Sequence, residues 1–234
     1  MDATQCYDSV AHAITSLEFQ AFGDPEEAVH SMLTTIEEMK YFLRTAYGDS
    51  KTFRGSKFEI KFQGLCQGNG AAPAGWAVIS ITILNAHKKK GHGAYFRCPI
   101  SRKTGHLAAI LFVDDNDLIH IDMDKDQTVE DAHYDLQSSV SSWGKLLIAS
   151  GGSLKPEKCF FYLISFKWNK EGKWSYAANE EEEEYRLGVP LPDGSEAEIE
   201  HLAVDVAKET MGGWTCPPAD ASAQFRSMKE KGQK

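Results

Sequence analysis

Apolar residues recur along this chain at helical and strand spacings, and the points where the spacing changes outline its elements. Val10, Ala13, Ile14, Leu17 and Ala21 lie three and four apart, with Ser9 in a capping position before them and Gly23 behind them. That period predicts one helix. Asp24-Pro25-Glu26-Glu27 is a second start signal, and the stripe Val29, Met32, Leu33, Ile36, Met39, Leu43 predicts a helix running to Gly48. Phe58 to Phe62 alternates as a strand does. A Gly/Ala-rich loop, Gln67 to Ala72, leads through Pro73 into a helix carrying Trp76, Ile79, Ile83 and Ala86. Two apolar strands, His106–Val113 and Leu118–Met123, flank the polar turn Asp114-Asp115-Asn116-Asp117. Thr128 and Asp131 open a helix through Val129, Ala132, Leu136, Val140, Trp143 and Leu147, closed by Gly151-Gly152. Cys159–Trp168 and Lys173–Tyr176 read as a hairpin around Asn169-Lys170-Glu171-Gly172. A short strand near Ile199–Val204 and a helix from about Ala219 complete the pattern. Helices and hairpins mix without βαβ regularity and without internal repeats, so the class is α+β.

Composition adds three exclusions. At 42% hydrophobic and 25% charged residues, the 234-residue chain has the apolar mass for a core and is neither fibrous nor disordered. No segment reaches the roughly 18 apolar residues of a membrane span, and the first 30 residues carry acids where a secretion signal is basic and then apolar. An intracellular protein, nuclear or cytoplasmic and not secreted, is expected, with no membrane partner. The five cysteines are scattered and form no CxxC pair, which speaks for reduced thiols and against a zinc framework. The net charge is −9, yet it is local. Eleven acids and two bases lie between Asn179 and Glu209, and the remaining 23 bases and 23 acids cancel. The acidity therefore marks a solvated surface segment rather than a class of partner.

The chemistry concentrates in Leu111 to Leu118, LFVDDNDL. Side chains alternate along a strand, so adjacent carboxylates share one site only at a hairpin tip. Asp114 and Asp115 fall at such a tip. Clustered carboxylates repel one another unless a cation sits among them, and oxygen-only donors select Mg²⁺ or Mn²⁺. Taken alone, the pair reads first as the solvated polar turn of an ordinary hairpin. Two further segments change that. DATQCYDSV, Asp2 to Val10, has the form D-x-x-x-x-[YF]-D, and QGNGAAP, Gln67 to Pro73, has the form Q-G-x-x-x-x-P. With FVDD following in order, they resemble motifs A, B and C of the reverse transcriptase palm in retroelement enzymes. GGSLKPEKCFF, Gly151 to Phe161, resembles motif D, and ETMGGWTCP, Glu209 to Pro217, resembles the primer-grip segment.

The resemblance implies an α+β palm with part of the fingers, an antiparallel sheet carrying helices on one face. It implies RNA-directed DNA synthesis by two-metal nucleotidyl transfer, on an RNA or DNA template with a primer and deoxynucleoside triphosphates. Asp2, Asp114 and Asp115 would hold two Mg²⁺ ions, or Mn²⁺ in their place. One ion would activate the primer 3′-hydroxyl and the other steady the leaving pyrophosphate. Tyr7 would pack under the incoming sugar and exclude a 2′-hydroxyl. Gln67 and Gly68 would lie against the nucleotide, and Lys158 would protonate pyrophosphate. Residues 1–178 would form the palm and partial fingers, 179–208 an acidic surface insertion, and 209–234 the primer-grip-like segment with the start of a thumb connection.

The chain departs from the family pattern at Ala72, where motif B has serine, and at Lys155, where motif D has asparagine. Neither position is a metal ligand. Two other readings stand beside the polymerase: a catalytically inactive, domesticated nucleic-acid-binding derivative, and an RNA-dependent RNA polymerase, against which Tyr7 speaks. Only Met1 precedes Asp2, too little chain for a strand that would place a catalytic aspartate. Fingers and thumb segments are therefore expected in a longer protein, and no primer extension is expected from residues 1–234 alone. Asp122-x-Asp124-x-Asp126 imitates a calcium loop but has Gln127 where glycine and His133 where glutamate are needed. GNGAAPAG lacks the lysine of a phosphate loop. His87-Lys88-Lys89-Lys90 reads as a solvated basic helix end.

Overall fold

The computed structural model describes residues 3–4, 6–54, 63–66, 68–121, 128–177 and 185–232. The order is β1 (Ala3–Thr4), α1 (Cys6–Ser9), α2 (His12–Ala21), α3 (Glu26–Glu37), β2 (Tyr41–Thr45), β3 (Gly48–Arg54) and α4 (Ala72–Lys89). β4 (Ala94–Arg97), β5 (Thr104–Leu107), β6 (Ala109–Phe112), β7 (Asp115–Leu118), α5 (Val129–Ala149) and β8 (Ser153–Leu154) follow. After a 3₁₀ turn at Pro156–Lys158 come β9 (Phe160–Phe161), β10 (Phe166–Trp168), β11 (Trp174–Tyr176), β12 (Leu187–Pro190), β13 (Glu196–His201), β14 (Lys208–Thr210), β15 (Gly213–Thr215) and α6 (Ser222–Gly232). The class is mixed α and β, as the pattern predicts. Among the described residues the strands form no single large sheet. They make small antiparallel pairs and one three-stranded sheet, β12-β13-β9, in which β13 runs parallel to β9.

Two helices organise the larger core. Trp76, Ile79 and Ile83 of α4 meet Val140, Trp143 and Leu147 of α5, and Leu154, Phe161, Leu187, Val189 and Ile199 close the cluster from the strands. The sequence encodes α5 locally. Thr128 accepts a hydrogen bond from the Asp131 N–H at 3.2 Å, and the Asp131 carboxylate accepts from the Thr128 N–H at 3.1 Å. This reciprocal box satisfies two donors that a helix start leaves open. A smaller core gathers Val29, Leu33 and Ile36 of α3 with Leu65, Cys66 and Ala72.

Several expectations about the elements need correction. The helix expected behind a Ser9 cap begins only at His12, because Ser9 closes the short α1 and Val10–Ala11 separate the two helices. Val10 is fully buried there, and the Ala11 N–H donates to the Ser150 carbonyl at 3.0 Å instead of continuing a helical ladder. The Val29 stripe ends at Glu37, and Leu43 lies in the β2–β3 hairpin with 71% of its surface exposed. His106–Val113 is interrupted at Ala108 into β5 and β6. The acidic segment also contributes core: Leu187 and Val189 of β12 have no exposed surface and pack beside α5. The strand expected over Phe58–Phe62 and residues 179–184 of the acidic tract lie outside the described residues.

Candidate active site

The turn between β6 and β7 is shorter than the polar run suggests. Phe112 pairs with Asp115, so only Val113 and Asp114 form the turn, and Asp115-Asn116-Asp117 belong to β7. Tight two-residue hairpins need positive φ and usually place glycine there. Here Val113 adopts φ +57, a conformation that costs a β-branched residue on the order of 1–3 kcal/mol. The Trp76 indole N–H of α4 donates to the Val113 carbonyl, fixing this strained tip from below. Strand alternation turns Asn116 inward to 3% exposure, and its side-chain amide donates to the Asp114 carbonyl at 3.2 Å. Asp114 and Asp115 remain half-buried at the tip. Asp117 accepts a hydrogen bond from Thr210 of β14 at 3.1 Å, which ties the primer-grip-like hairpin β14–β15 to β7. A cavity of about 560 Å³ opens beside this junction, lined by Asp117, Leu118, His120, Leu136, Phe161 and Thr210 among others.

Of the other predicted site residues, Tyr7 lies in α1 and Gly68 in the loop that leads into α4. The Leu65 N–H donates to the Tyr7 carbonyl, and the Gly64 N–H donates to that of Val10 at 2.8 Å. The loop that leads into α4 thus runs along α1. The approach is close: a Cβ on Gly64 would stand 2.4 Å from the Asp8 backbone. Tyr7 is half-buried and packs against both cores. Gly68 has φ +92 with open space around it, so the turn itself requires glycine there. Lys158 is exposed at the end of the 3₁₀ turn after β8, and β8 pairs with β1 at Ala3↔Leu154. Lys155 pairs with Glu157 at 3.6 Å. Asp2 and Gln67 lie outside the described residues.

The segment resembling motif A is therefore joined by backbone hydrogen bonds to Gly64 and Leu65 just before the motif B loop. The FVDD tip is joined by Trp76 to the helix just after that loop, and motifs A and D meet in the β1–β8 pair. The hydrophobic pattern marks Trp76 only as a core residue; its indole N–H is the feature that pattern misses. The carboxyl oxygens of Asp114 and Asp115 suit a hard divalent cation. Among the described residues no group of three or more His, Cys, Asp or Glu side chains converges as a metal site, and the third expected ligand, Asp2, is not among them. Also among the described residues, no helix is long and apolar enough to cross a membrane. Comparison with protein-family models and with curated proteins yields no match.

Proposed function

We infer that this chain is a reverse transcriptase palm with partial fingers, of retroelement type, whose chemistry is template-directed DNA synthesis. The observation that carries the reading is the Trp76–Val113 hydrogen bond. It seats the FVDD tip on the helix opened by the QGNGAAP loop, while that loop's approach lies along the Tyr7 helix. These contacts bring segments far apart in sequence into one neighbourhood, which supports the reading. Asp114 and Asp115, with Asp2, would hold divalent cations. Bound there, such ions would acidify a primer 3′-hydroxyl and neutralise charge on a leaving pyrophosphate. The chain's own part is positional: Tyr7 limits space under a sugar, Gln67 and Gly68 offer a surface to the nucleotide, and Lys158 carries a proton on Nζ for the leaving group.

The test is calorimetric titration of the chain with Mn²⁺ and a deoxynucleoside triphosphate. Cation-dependent nucleotide binding is expected, with loss of it in Asp114→Ala. Folding should hold or improve in that variant, since repulsion between adjacent carboxylates falls. Equal binding by wild type and Asp114→Ala rejects the assignment. One observation favours the inactive nucleic-acid-binding derivative as a second reading: β1, beside Asp2, pairs with β8 and not with the β6–β7 hairpin. That derivative would bind nucleic acid while showing no cation-dependent nucleotide binding.

A further inference from the structure

The β10–β11 hairpin carries four aromatic residues on one face. Its register sets Phe166 opposite Tyr176 and Trp168 opposite Trp174. The Asn169 N–H donates to the Lys173 carbonyl and the Ala177 N–H to that of Ser165, both at 3.0 Å. Both aromatic pairs therefore occupy non-hydrogen-bonded sites, where facing side chains stand closest. Phe166, Trp174 and Tyr176 pack among themselves, with ring centroids 5.5 Å apart in each pair. Even so, Phe166, Trp168 and Trp174 are 53, 68 and 50% exposed. A soluble chain ordinarily buries such a surface or uses it.

The platform is also rigid. The Asn169 carboxamide oxygen accepts from the N–H groups of Glu171 at 3.0 Å and Lys173 at 2.9 Å, and Gly172 supplies the positive φ of the turn. The Tyr176 hydroxyl donates to the Pro217 carbonyl at 3.0 Å, anchoring the hairpin next to β15. Its charge runs against that of the molecule. Lys167, Lys170 and Lys173 against Glu171 leave an excess of two positive charges in a chain of net −9.

From this geometry we propose that the β10–β11 hairpin is a binding platform for single-stranded nucleic acid, separate from the FVDD site, with bases stacking on Trp168 and Trp174 and phosphates meeting Lys170 and Lys173. The rings meet edge to face rather than in one plane, so each exposed indole answers a nucleobase singly, and flanking lysines answer the phosphate spacing of a strand. A duplex hides its base faces and would lose the stacking contribution. The proposal does not depend on polymerase chemistry, because no carboxylate or cation takes part.

The experiment is fluorescence anisotropy of the chain with a labelled 12-nucleotide oligothymidylate at low salt, in EDTA so that no held cation contributes. The same 12-mer in a duplex, and an abasic 12-mer of equal charge, serve as comparisons. Single-strand binding with quenching of tryptophan emission is expected, weakened about tenfold in Trp168→Ala. The Lys170→Ala/Lys173→Ala double variant should weaken binding and reduce the salt slope by about 1.4. Trp168 is largely exposed, so its removal should leave the fold intact, which circular dichroism checks. No binding, unchanged affinity in Trp168→Ala, or an abasic strand bound as tightly as oligothymidylate would each overturn the proposal. So would concentration-dependent self-association abolished by Trp168→Ala, which would make a second copy of the chain the occupant.

Discussion

Helix α4 spans about 27 Å, and its two ends treat polar groups in opposite ways. At its start, the Trp76 indole N–H donates to the Val113 carbonyl, and Asp114 and Asp115 stand half-buried at the tip it supports. At its far end, His87 has no exposed surface at all. Its Nε2 lies 3.3 Å from the Ser139 hydroxyl, and its Nδ1 has no hydrogen-bond partner among the described residues. The His92 ring stacks on it at 4.7 Å, and Trp143 meets it edge-on at 5.4 Å. Burial, followed by the neighbouring charges of His92, Lys90, His120 and His106, pushes the His87 imidazole down to about 4. Burial also lowers His92, joined by His120 and Lys90 and opposed by Asp135. One end of the helix presents charge that a cation could answer; at the other, burial disfavours a charge on His87 itself. The basic helix end expected at His87–Lys90 is thus only half right: Lys89 and Lys90 face solvent while His87 turns into the core.

The sharpest way to break this contrast is at the start of the helix. Trp76→Ala removes a buried indole and should cost about 3–5 kcal/mol in urea unfolding. Trp76→Phe keeps most of the apolar volume and deletes only the donor, so it should cost about 1 kcal/mol. If phenylalanine restores full stability, packing alone holds the FVDD tip, and the paired-donor account of this end fails.

The next effect belongs to the other end and depends on pH. The folded-state pKa of His87 is lowered, so below about 6.5 the unfolded chain takes up a proton that the folded chain refuses until about 4. Stability is therefore fully present above pH 6.5 and falls by roughly 3 kcal/mol as the pH drops to 4. Surface carboxylates begin to titrate at the lower limit, so the measurement is the difference between wild type and His87→Leu. That variant should flatten the curve between pH 6.5 and 4.5, whatever it does to stability at pH 7. Parallel curves would mean that His87 is solvated and the ends of α4 do not differ.

How much of this was legible depends on how far each contact reaches along the chain. The Thr128–Asp131 box spans three residues and could be read directly, as could Pro73 opening α4 and the Asn169–Gly172 turn. The break at Val10–Ala11 could not, because its cause is the Ser150 carbonyl about 140 residues away. Tyr41-Phe42-Leu43 is an apolar run that suits a helix or a strand, and local period does not choose between them. The charge count hid Leu187 and Val189, whose burial is set by α5. In the candidate site, Asp114 and Asp115 announced themselves by adjacency, whereas the support from Trp76 crosses 37 residues. His87 looked basic because three lysines follow it, and only the packing of α5 and the His92 ring makes it neutral.

The smallest expected effect separates helix loss from charge loss at the histidine end. α5 supplies Ser139 and Trp143 to the His87 surroundings, and its first turn rests on Thr128. Thr128→Ala should lower stability by about 1 kcal/mol, the ordinary cost of a lost cap. Its pH dependence must differ from that of His87. The Asp131 carboxyl is held below its usual value by hydrogen bonds from the Thr128 backbone and hydroxyl. A depressed carboxyl contributes stability above its unfolded value of 3.8 and loses it only as the pH falls through the still lower folded value. Between pH 6.5 and 4.5 the Thr128→Ala curve should therefore run parallel to wild type, displaced downward by a constant amount. If the displacement instead grows across that window, the cap and the histidine end titrate together. The pH response would then belong to the whole of α5 and not to His87.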